Sequence, residues 1–129
     1  MSAIKILMVE DEIQMFNLMK MLMTPLGFEV AHSFSAADIP ARLRAEAANV
    51  LITDFLMPGR NGLEVARAVR AEADFKTLPV FLLTSKGFQH RETVEIGQLG
   101  LHYMRKPVLP QILSAKVKAA LGNQEGPRG

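Results

Sequence analysis

The chain has no cysteine, and its 129 residues contain no long apolar run. The absence of cysteine excludes disulfide bonds, zinc sites built from thiolates and thiol nucleophiles, and it agrees with a reducing compartment. A membrane span needs roughly 20 consecutive apolar residues, and the apolar runs here are far shorter. Residues 1–5 lead into a strand pattern and not into a signal peptide. We therefore expect an unexported, cytoplasmic protein with no membrane partner.

Net charge is also small. There are 15 Lys and Arg residues against 13 Asp and Glu residues, which gives a formal charge of +2. The surplus is spread along the chain and forms no dense basic block or basic recognition helix. The composition therefore gives little support for nucleic-acid binding, and a mixed, solvated surface is the better interpretation.

Short apolar runs alternate with helical patterns throughout the chain, which is long enough for one domain. The runs predict five strands, at residues 4–9, 28–33, 51–54, 79–85 and 101–104. The intervening segments predict five helices, at residues 13–26, 36–47, 63–70, 88–99 and 109–121. This alternation requires parallel pairing with right-handed crossovers, and so predicts an α/β three-layer sandwich. We expect one domain over residues 1–122 and a disordered tail over residues 123–129.

Local signals suggest where the helices start, stop and face. Apolar residues at a helical spacing predict the buried face of the first helix: Met15, Leu18, Leu22 and Leu26. Ser35 and Asp38 resemble a capping box at the start of the second helix. Gly122 is expected to end the last helix, whose apolar residues include Leu109, Ile112, Leu113 and Val117.

Polar side chains stand at the ends of four predicted strands. Glu10 and Asp11 follow the first strand, Asp54 ends the third, Thr84 ends the fourth and Lys106 follows the fifth. Because parallel strands present their carboxyl ends at one edge of a sheet, these side chains are expected to converge there. Taken singly, Thr84 is as well explained by a backbone hydrogen bond, Lys106 by a solvated surface and the acids by capping of the first helix.

Together these residues suggest phosphoryl chemistry. Three carboxylates in one crevice repel one another, so that either one holds a proton or a cation binds. Oxygen ligands without His or Cys favour Mg²⁺. A phosphoryl group fits such a site, with Asp54 as the in-line nucleophile, Lys106 as a charge clamp and Thr84 as a hydroxyl donor.

The ordered motifs resemble the receiver domain of two-component response regulators. The resemblance covers nearly the whole chain, and it rests on four segments: Val9-Glu10-Asp11-Glu12, Asp54-Phe55-Leu56-Met57-Pro58-Gly59-Arg60-Asn61-Gly62, Leu83-Thr84-Ser85 and Tyr103-Met104-Arg105-Lys106-Pro107. It implies a flavodoxin-like fold with a five-stranded parallel sheet in the order 2-1-3-4-5.

The resemblance also implies a role for each site residue. Asp54 matches the phosphoacceptor, and the metal ligands fall on Glu10, Asp11, Asp54 and the backbone carbonyl of Leu56. Lys106 matches the invariant lysine. Thr84 and Tyr103 match the hydroxyl and the aromatic ring of the switch; an ordinary half-buried aromatic is the alternative for Tyr103. The expected phosphodonor is a histidine kinase or a histidine phosphotransfer protein, and the output is a downstream protein target.

The first helix carries more apolar surface than one stripe can bury. Receivers of this family generally dock their kinase on this helix, and methionine is common at adaptable binding surfaces. We therefore expect Met15, Phe16 and Met19 to lie in a helix-on-helix docking surface. A flexible apolar core is the alternative.

Two other functions stay open. A Mg²⁺-dependent phosphohydrolase would also use an Asp nucleophile, but such enzymes commonly need a general acid two residues later, where Leu56 stands. The chain is therefore expected to catalyse only its own phosphorylation and dephosphorylation, and Leu56, which cannot orient a water, predicts a long-lived phosphoryl group. An unphosphorylated interaction module, or a receiver cut from a longer regulator, is the other alternative to a receiver that acts alone by protein contact.

Overall fold

A five-stranded parallel sheet forms the centre of the computed structural model, which describes residues 3–124. Its strands are β1 (Ile4–Val9), β2 (Phe28–Ser33), β3 (Val50–Asp54), β4 (Val80–Thr84) and β5 (His102–Arg105). They pair in the order β2-β1-β3-β4-β5. Every residue of β3 and β4 is buried, as expected for the middle of a sheet that is covered on both faces. The predicted strands and strand order are confirmed.

Five α-helices alternate with the strands, and the last of them follows β5: α1 (Ile13–Met23), α2 (Ile39–Glu46), α3 (Gly62–Arg70), α4 (His90–Gln98) and α5 (Pro110–Gln124). Two apolar cores lie on opposite faces of the sheet. One packs α2, α3 and α4 against it, and the other packs α1 and α5. The predicted three-layer α/β sandwich is therefore confirmed. Within the described residues, no helix combines the length and the apolar character that crossing a membrane requires.

The buried face of α1 differs from the predicted one. Phe16, Met19 and Met23 are buried against the sheet, whereas Met15, Leu18 and Leu22 are exposed. Both sets recur at helical spacing, so periodicity alone could not distinguish them. The helix also ends earlier than predicted, because Thr24–Leu26 forms a 3₁₀ turn that closes at Gly27 in the left-handed conformation.

The predicted start of the second helix and the predicted end of the last helix also differ from the observed ones. The capping box at Ser35 and Asp38 is absent: the Ser35 hydroxyl accepts a hydrogen bond from Ala37 N at 3.0 Å, and Asp38, at φ 57°, precedes α2 without a side-chain cap. Gly122 does not end α5, which continues to Gln124. Leu109 and Ile112 are exposed, whereas Leu113 and Val117 are fully buried. Of the predicted tail, residues 123 and 124 are helical, and residues 125–129 lie outside the described residues.

The chain between β3 and α3 forms a small antiparallel hairpin that the sequence patterns did not predict. Leu56–Met57 pairs with Arg60–Asn61, and Gly59 turns between them at φ 82°. Asn61 then caps α3, since its side chain accepts from Glu64 N while the Glu64 carboxylate accepts from Asn61 N. Gly62 lies so close to β3 that a Cβ atom would stand 3.1 Å from the Phe55 Cα. The hairpin is thus held tightly against the end of β3.

Ala47 offers a test of the local geometry at the end of α2. It adopts the left-handed conformation at φ 51° and ψ 45°, which disfavours residues with a Cβ atom. We expect Ala47→Gly to raise the free energy of unfolding by about 0.5–1 kcal/mol, as measured by urea denaturation. Ala71 is a matched control, because it ends α3 in the right-handed conformation at φ −70°. Ala71→Gly should leave stability unchanged or lower it, and equal effects at both positions would contradict the prediction.

Candidate functional site

The carboxyl edge of the parallel sheet collects the polar residues that the sequence singled out. Glu10 follows β1, Asp54 is the last residue of β3, Thr84 is the last residue of β4 and Lys106 follows β5. Register explains the convergence, because Val9 pairs with Thr53, and Asp54 pairs with Leu83. Residues almost 100 positions apart in the chain therefore meet at one edge.

Three carboxylates meet at this edge. Glu10, Asp11 and Asp54 each offer an oxygen, and these oxygens all lie within 4.8 Å of one another. Glu10 and Asp54 are 3% and 5% exposed, and Asp11 is exposed. Two backbone bonds hold Glu10: its N–H donates to Ser33 O at 3.0 Å, and its carboxylate accepts from Glu12 N at 3.1 Å. The donor set consists of hard oxygen ligands at mutual distances that suit a small divalent cation.

The crowding alters the protonation of Glu10. Burial is the largest cause that raises the pKa of Glu10, followed by its hydrogen bond with Asp54, and the resulting pKa is about 7 instead of 4.5. The backbone N–H of Glu12 and the charge of Lys106 act in the opposite direction. In the protein without a cation, Glu10 is therefore mostly protonated at pH values below about 7. A bound cation would replace that proton.

Lys106 reaches the acid cluster from the other side. Its Nζ lies 3.0 Å from Asp54 Oδ1. The backbone fixes this approach, because Lys106 N donates to Thr84 O at 2.8 Å. Lys106 is therefore an ion-pair partner of Asp54, although its side chain is also exposed to solvent.

Thr84 and Tyr103 lie at the predicted positions but do not contact Asp54 through any hydrogen bond found in the described residues. The buried Thr84 hydroxyl donates to Lys86 O at 2.7 Å and accepts from Lys86 N at 3.2 Å. Tyr103 is 53% exposed, and its ring meets Phe88 edge-on at 5.2 Å. Phe88 meets Phe55, the neighbour of Asp54, in the same way at 5.0 Å. An aromatic row thus connects the site to the exposed ring of Tyr103.

Leu56 lies in the hairpin beside the site, and its side chain is 57% exposed. An exposed apolar side chain supplies neither a proton nor a hydrogen bond to a reacting group. The role of the Leu56 carbonyl as a metal ligand stays a prediction.

The predicted docking residues are only partly at the surface. Phe16 and Met19 are each 6% exposed and belong to the core beneath α1. The assignment of Phe16 to a docking surface is therefore wrong, whereas Met19, although buried, lines the cleft beside α1. Met15 is exposed, together with Leu18 and Leu22 on the same side of the helix. The prediction failed because two adjacent apolar stripes run along α1 and the wrong one was assigned to the core.

The exposed stripe of α1 lines an apolar cleft that sequence reasoning missed. The cleft has a volume of about 430 Å³ and runs between α1 and the segment that leads into α5. Met15, Leu18 and Leu22 form one wall, and Glu10, Asp54 and Lys106 border it. The surplus of apolar residues on α1 was the one sequence signal that pointed to it.

Known proteins resemble the chain in sequence along almost its entire length. The family model described as the response regulator receiver domain matches residues 6–118. A "Chemotaxis protein CheY homolog" of Campylobacter jejuni is 35% identical over 127 residues, which cover 95% of each chain. "Chemotaxis protein CheY1" of Helicobacter pylori is 33% identical over 124 residues, which cover 94% of this chain and 99% of that protein.

Solved structures resemble it in fold. A CheY-like response regulator receiver domain protein from Methanospirillum hungatei has a TM-score of 0.83 at 25% identity, with 96% of this chain and 98% of that chain covered. A response regulator receiver domain protein from Clostridium thermocellum has a TM-score of 0.82 at 26% identity, with 94% and 96% covered. The likeness in fold, the family match and the ordered motifs agree, and the chain belongs to the receiver domain family of two-component response regulators.

Proposed function

We propose that this receiver accepts a phosphoryl group on Asp54 with the help of Mg²⁺ and thereby switches a protein-binding surface. The observation that carries the proposal is the arrangement around Asp54. Its carboxylate lies within 4.8 Å of two other carboxylates and 3.0 Å from Lys106 Nζ. Two other acids and one lysine thus surround the Asp54 carboxylate.

The site residues divide the chemistry between them. Glu10, Asp11 and Asp54 would hold Mg²⁺, together with the Leu56 carbonyl, and bound Mg²⁺ offsets charge on the oxygens of the incoming phosphoryl group. An Asp54 oxygen attacks phosphorus in line, and the bond between phosphorus and the donor's imidazole nitrogen breaks. Lys106 then binds a phosphoryl oxygen and stabilises the acyl phosphate.

The switch follows from the hydrogen bond that Thr84 makes in this structure. A phosphoryl oxygen on Asp54 competes with the Lys86 carbonyl for the Thr84 hydroxyl. When Thr84 turns toward the phosphoryl group, space opens beside β5, and the exposed Tyr103 ring can turn inward past Phe88. Phosphorylation therefore changes the face formed by α4, β5 and α5, which contacts the downstream protein.

The donor that fits the site is a histidine kinase or a histidine phosphotransfer protein. Its phosphorylated helix would pack on the exposed stripe of α1, where Met15, Leu18 and Leu22 line the cleft beside Asp54. An apolar side chain of the donor would enter the cleft and hold the phosphohistidine near the acids. Similarity to chemotaxis proteins over almost their full length supports a receiver that acts by protein contact in the cytoplasm.

The phosphohydrolase alternative is weaker. An exposed leucine stands where such an enzyme needs a general acid, so the chain is suited to its own phosphorylation and dephosphorylation and not to turnover of a separate substrate. The complete acid cluster and the Lys106 ion pair also argue against an unphosphorylated interaction module.

Phosphorylation can be tested directly. With Mg²⁺ and acetyl phosphate, we expect a shifted band on a phosphate-affinity gel for the wild type and none for Asp54→Asn. Asp74→Asn is the control, because Asp74 is an exposed acid that pairs with Arg44 far from the site. Tyr103 is the one tyrosine in a chain without tryptophan, so beryllofluoride should change the intrinsic tyrosine fluorescence. A shifted Asp54→Asn band would disprove the assignment of the phosphoacceptor.

The raised pKa of Glu10 predicts how Mg²⁺ binding depends on pH. The ionised carboxylate binds the cation, so affinity should fall about tenfold from pH 8 to pH 6 and each binding event should release a proton at pH 6. Calorimetry in two buffers with different ionisation enthalpies measures both effects, and equal affinity at the two pH values would count against them.

Without the cation the folded state holds the extra proton, so the free energy of unfolding should fall as the pH rises from about 4.5 to 7.

The corrected docking surface makes a separate prediction. Leu18 is 43% exposed, and we expect Leu18→Ala to slow phosphotransfer from a histidine kinase that phosphorylates the wild type by about tenfold. Phosphorylation by acetyl phosphate should stay unchanged, because that donor needs no protein contact. Val94→Ala is the matched control, since Val94 is equally exposed on α4. A wild-type rate of phosphotransfer with Leu18→Ala would exclude this part of α1 from docking.

A further inference from the structure

His32 lies next to the acid cluster, although no step of the phosphoryl chemistry uses it. It belongs to β2, and its ring stacks on Phe16 with centroids 3.9 Å apart and an interplanar angle of 8°. On its other side, the ring of Phe34 lies 4.0 Å away at an angle of 56°. The imidazole is therefore held between two aromatic rings, which leaves it little freedom to rotate.

The clamped imidazole makes one directed hydrogen bond. His32 Nε2 lies 2.7 Å from the backbone carbonyl of Glu10, and because a carbonyl can only accept, Nε2 carries the proton. Glu10 is thus fixed at three points: its N–H by Ser33 O, its carbonyl by His32 and its carboxylate by Glu12 N. Ser33 and Glu12 bond to Glu10 through their backbone groups, whereas His32 bonds through its side chain. A substitution of His32 can therefore remove its hydrogen bond without changing the backbone.

The His32 ring is also linked, through Phe16, to Glu12 at the end of the acidic segment 10–12. Phe16 lies in the first turn of α1, and its N–H donates to Glu12 O at 3.0 Å. His32 therefore contacts Glu10 directly and the end of residues 10–12 through Phe16. The Arg42 guanidinium donates to the carbonyl of His32, which ties α2 to the same residue. Movement of the segment that carries Glu10 and Asp11 would therefore disturb the contacts of this ring.

We propose that His32 is a positioning residue for the cation site. Its Nε2–H holds the Glu10 backbone so that the carboxylates of Glu10 and Asp11 stay within reach of Asp54. This inference rests on the proposed function, because it assumes that the acid cluster binds a divalent cation. Partners outside the ligand set often tune metal affinity by orienting the ligands, and their loss typically weakens binding about 10- to 100-fold.

Substitutions can separate the hydrogen bond from the stacking. His32→Phe keeps a ring between Phe16 and Phe34 but removes the donor. His32→Gln keeps an N–H near the position of Nε2, whereas His32→Asn places its amide too far back to reach the Glu10 carbonyl. The Gln and Asn variants form a matched pair of similar polarity. His90→Phe is the control for the ring itself, because His90 is exposed at the start of α4.

The readout is the dissociation constant of Mn²⁺ in the full chain, measured by electron paramagnetic resonance of the free ion. We expect it to rise about tenfold in His32→Phe and His32→Asn, and to stay within about threefold of wild type in His32→Gln. The control should bind like the wild type. Thermal unfolding with EDTA, followed by circular dichroism, identifies any variant that does not fold, and the Gln and Asn pair then carries the comparison.

Two failures are distinguishable. Wild-type Mn²⁺ affinity in His32→Phe and His32→Asn would overturn the role of His32 alone, even if these variants melt at a lower temperature. Mn²⁺ binding by the wild type that Asp11→Asn and Asp54→Asn leave unchanged would overturn the cation site, and the role of His32 with it.

Discussion

Mutual repulsion among three carboxylates at one edge of the sheet is the constraint on which this structure depends. Burial disfavours the ionised form of Glu10 and is the largest cause of its raised pKa, and the hydrogen bond with Asp54 and the charge of Asp54 act in the same direction. Lys106 offsets one negative charge through its contact with Asp54. The remaining negative charge requires a proton or a cation. The two apolar cores stabilise the fold that holds these acids together at the edge of the sheet.

The strands and the site could be predicted from the sequence because each depends on a strong local signal. A strand that is buried on both faces appears in the sequence as a short apolar run. Parallel pairing places the carboxyl ends of the strands together, regardless of where the helices begin and end. Glu10, Asp54 and Lys106 therefore converge as expected. The motifs also led to the correct family, which the comparisons then established.

Features that depend on tertiary packing could not be predicted in the same way. Phe16 and Leu18 belong to neighbouring apolar stripes with the same period, and only the position of α1 on the sheet decides which of them is buried. The α2 capping box failed because Ser35 bonds within its own turn. The hairpin after Asp54 depends on a contact between Gly62 and Phe55, which no sequence period records.

In the proposed switch, the Thr84 hydroxyl and the Tyr103 ring would adopt one of two states, and the structure has the unphosphorylated arrangement of both. Thr84 is bonded to Lys86, and Tyr103 is exposed, so the two arrangements agree with each other. A switch of this kind needs only a modest difference in free energy between its states, because one new hydrogen bond acceptor has to reverse it. The aromatic row from Phe55 through Phe88 to Tyr103 would give that proposed reversal a physical route.

The cleft beneath the exposed stripe of α1 shares Glu10, Asp54 and Lys106 with the acid cluster. Occupancy of the cleft and the chemical state of Asp54 are therefore thermodynamically linked, and the linkage is reciprocal. A binder that prefers the unmodified carboxylate would dissociate more readily once the acyl phosphate forms. If the donor docks in this cleft as proposed, the shared walls would promote its release once the reaction is complete.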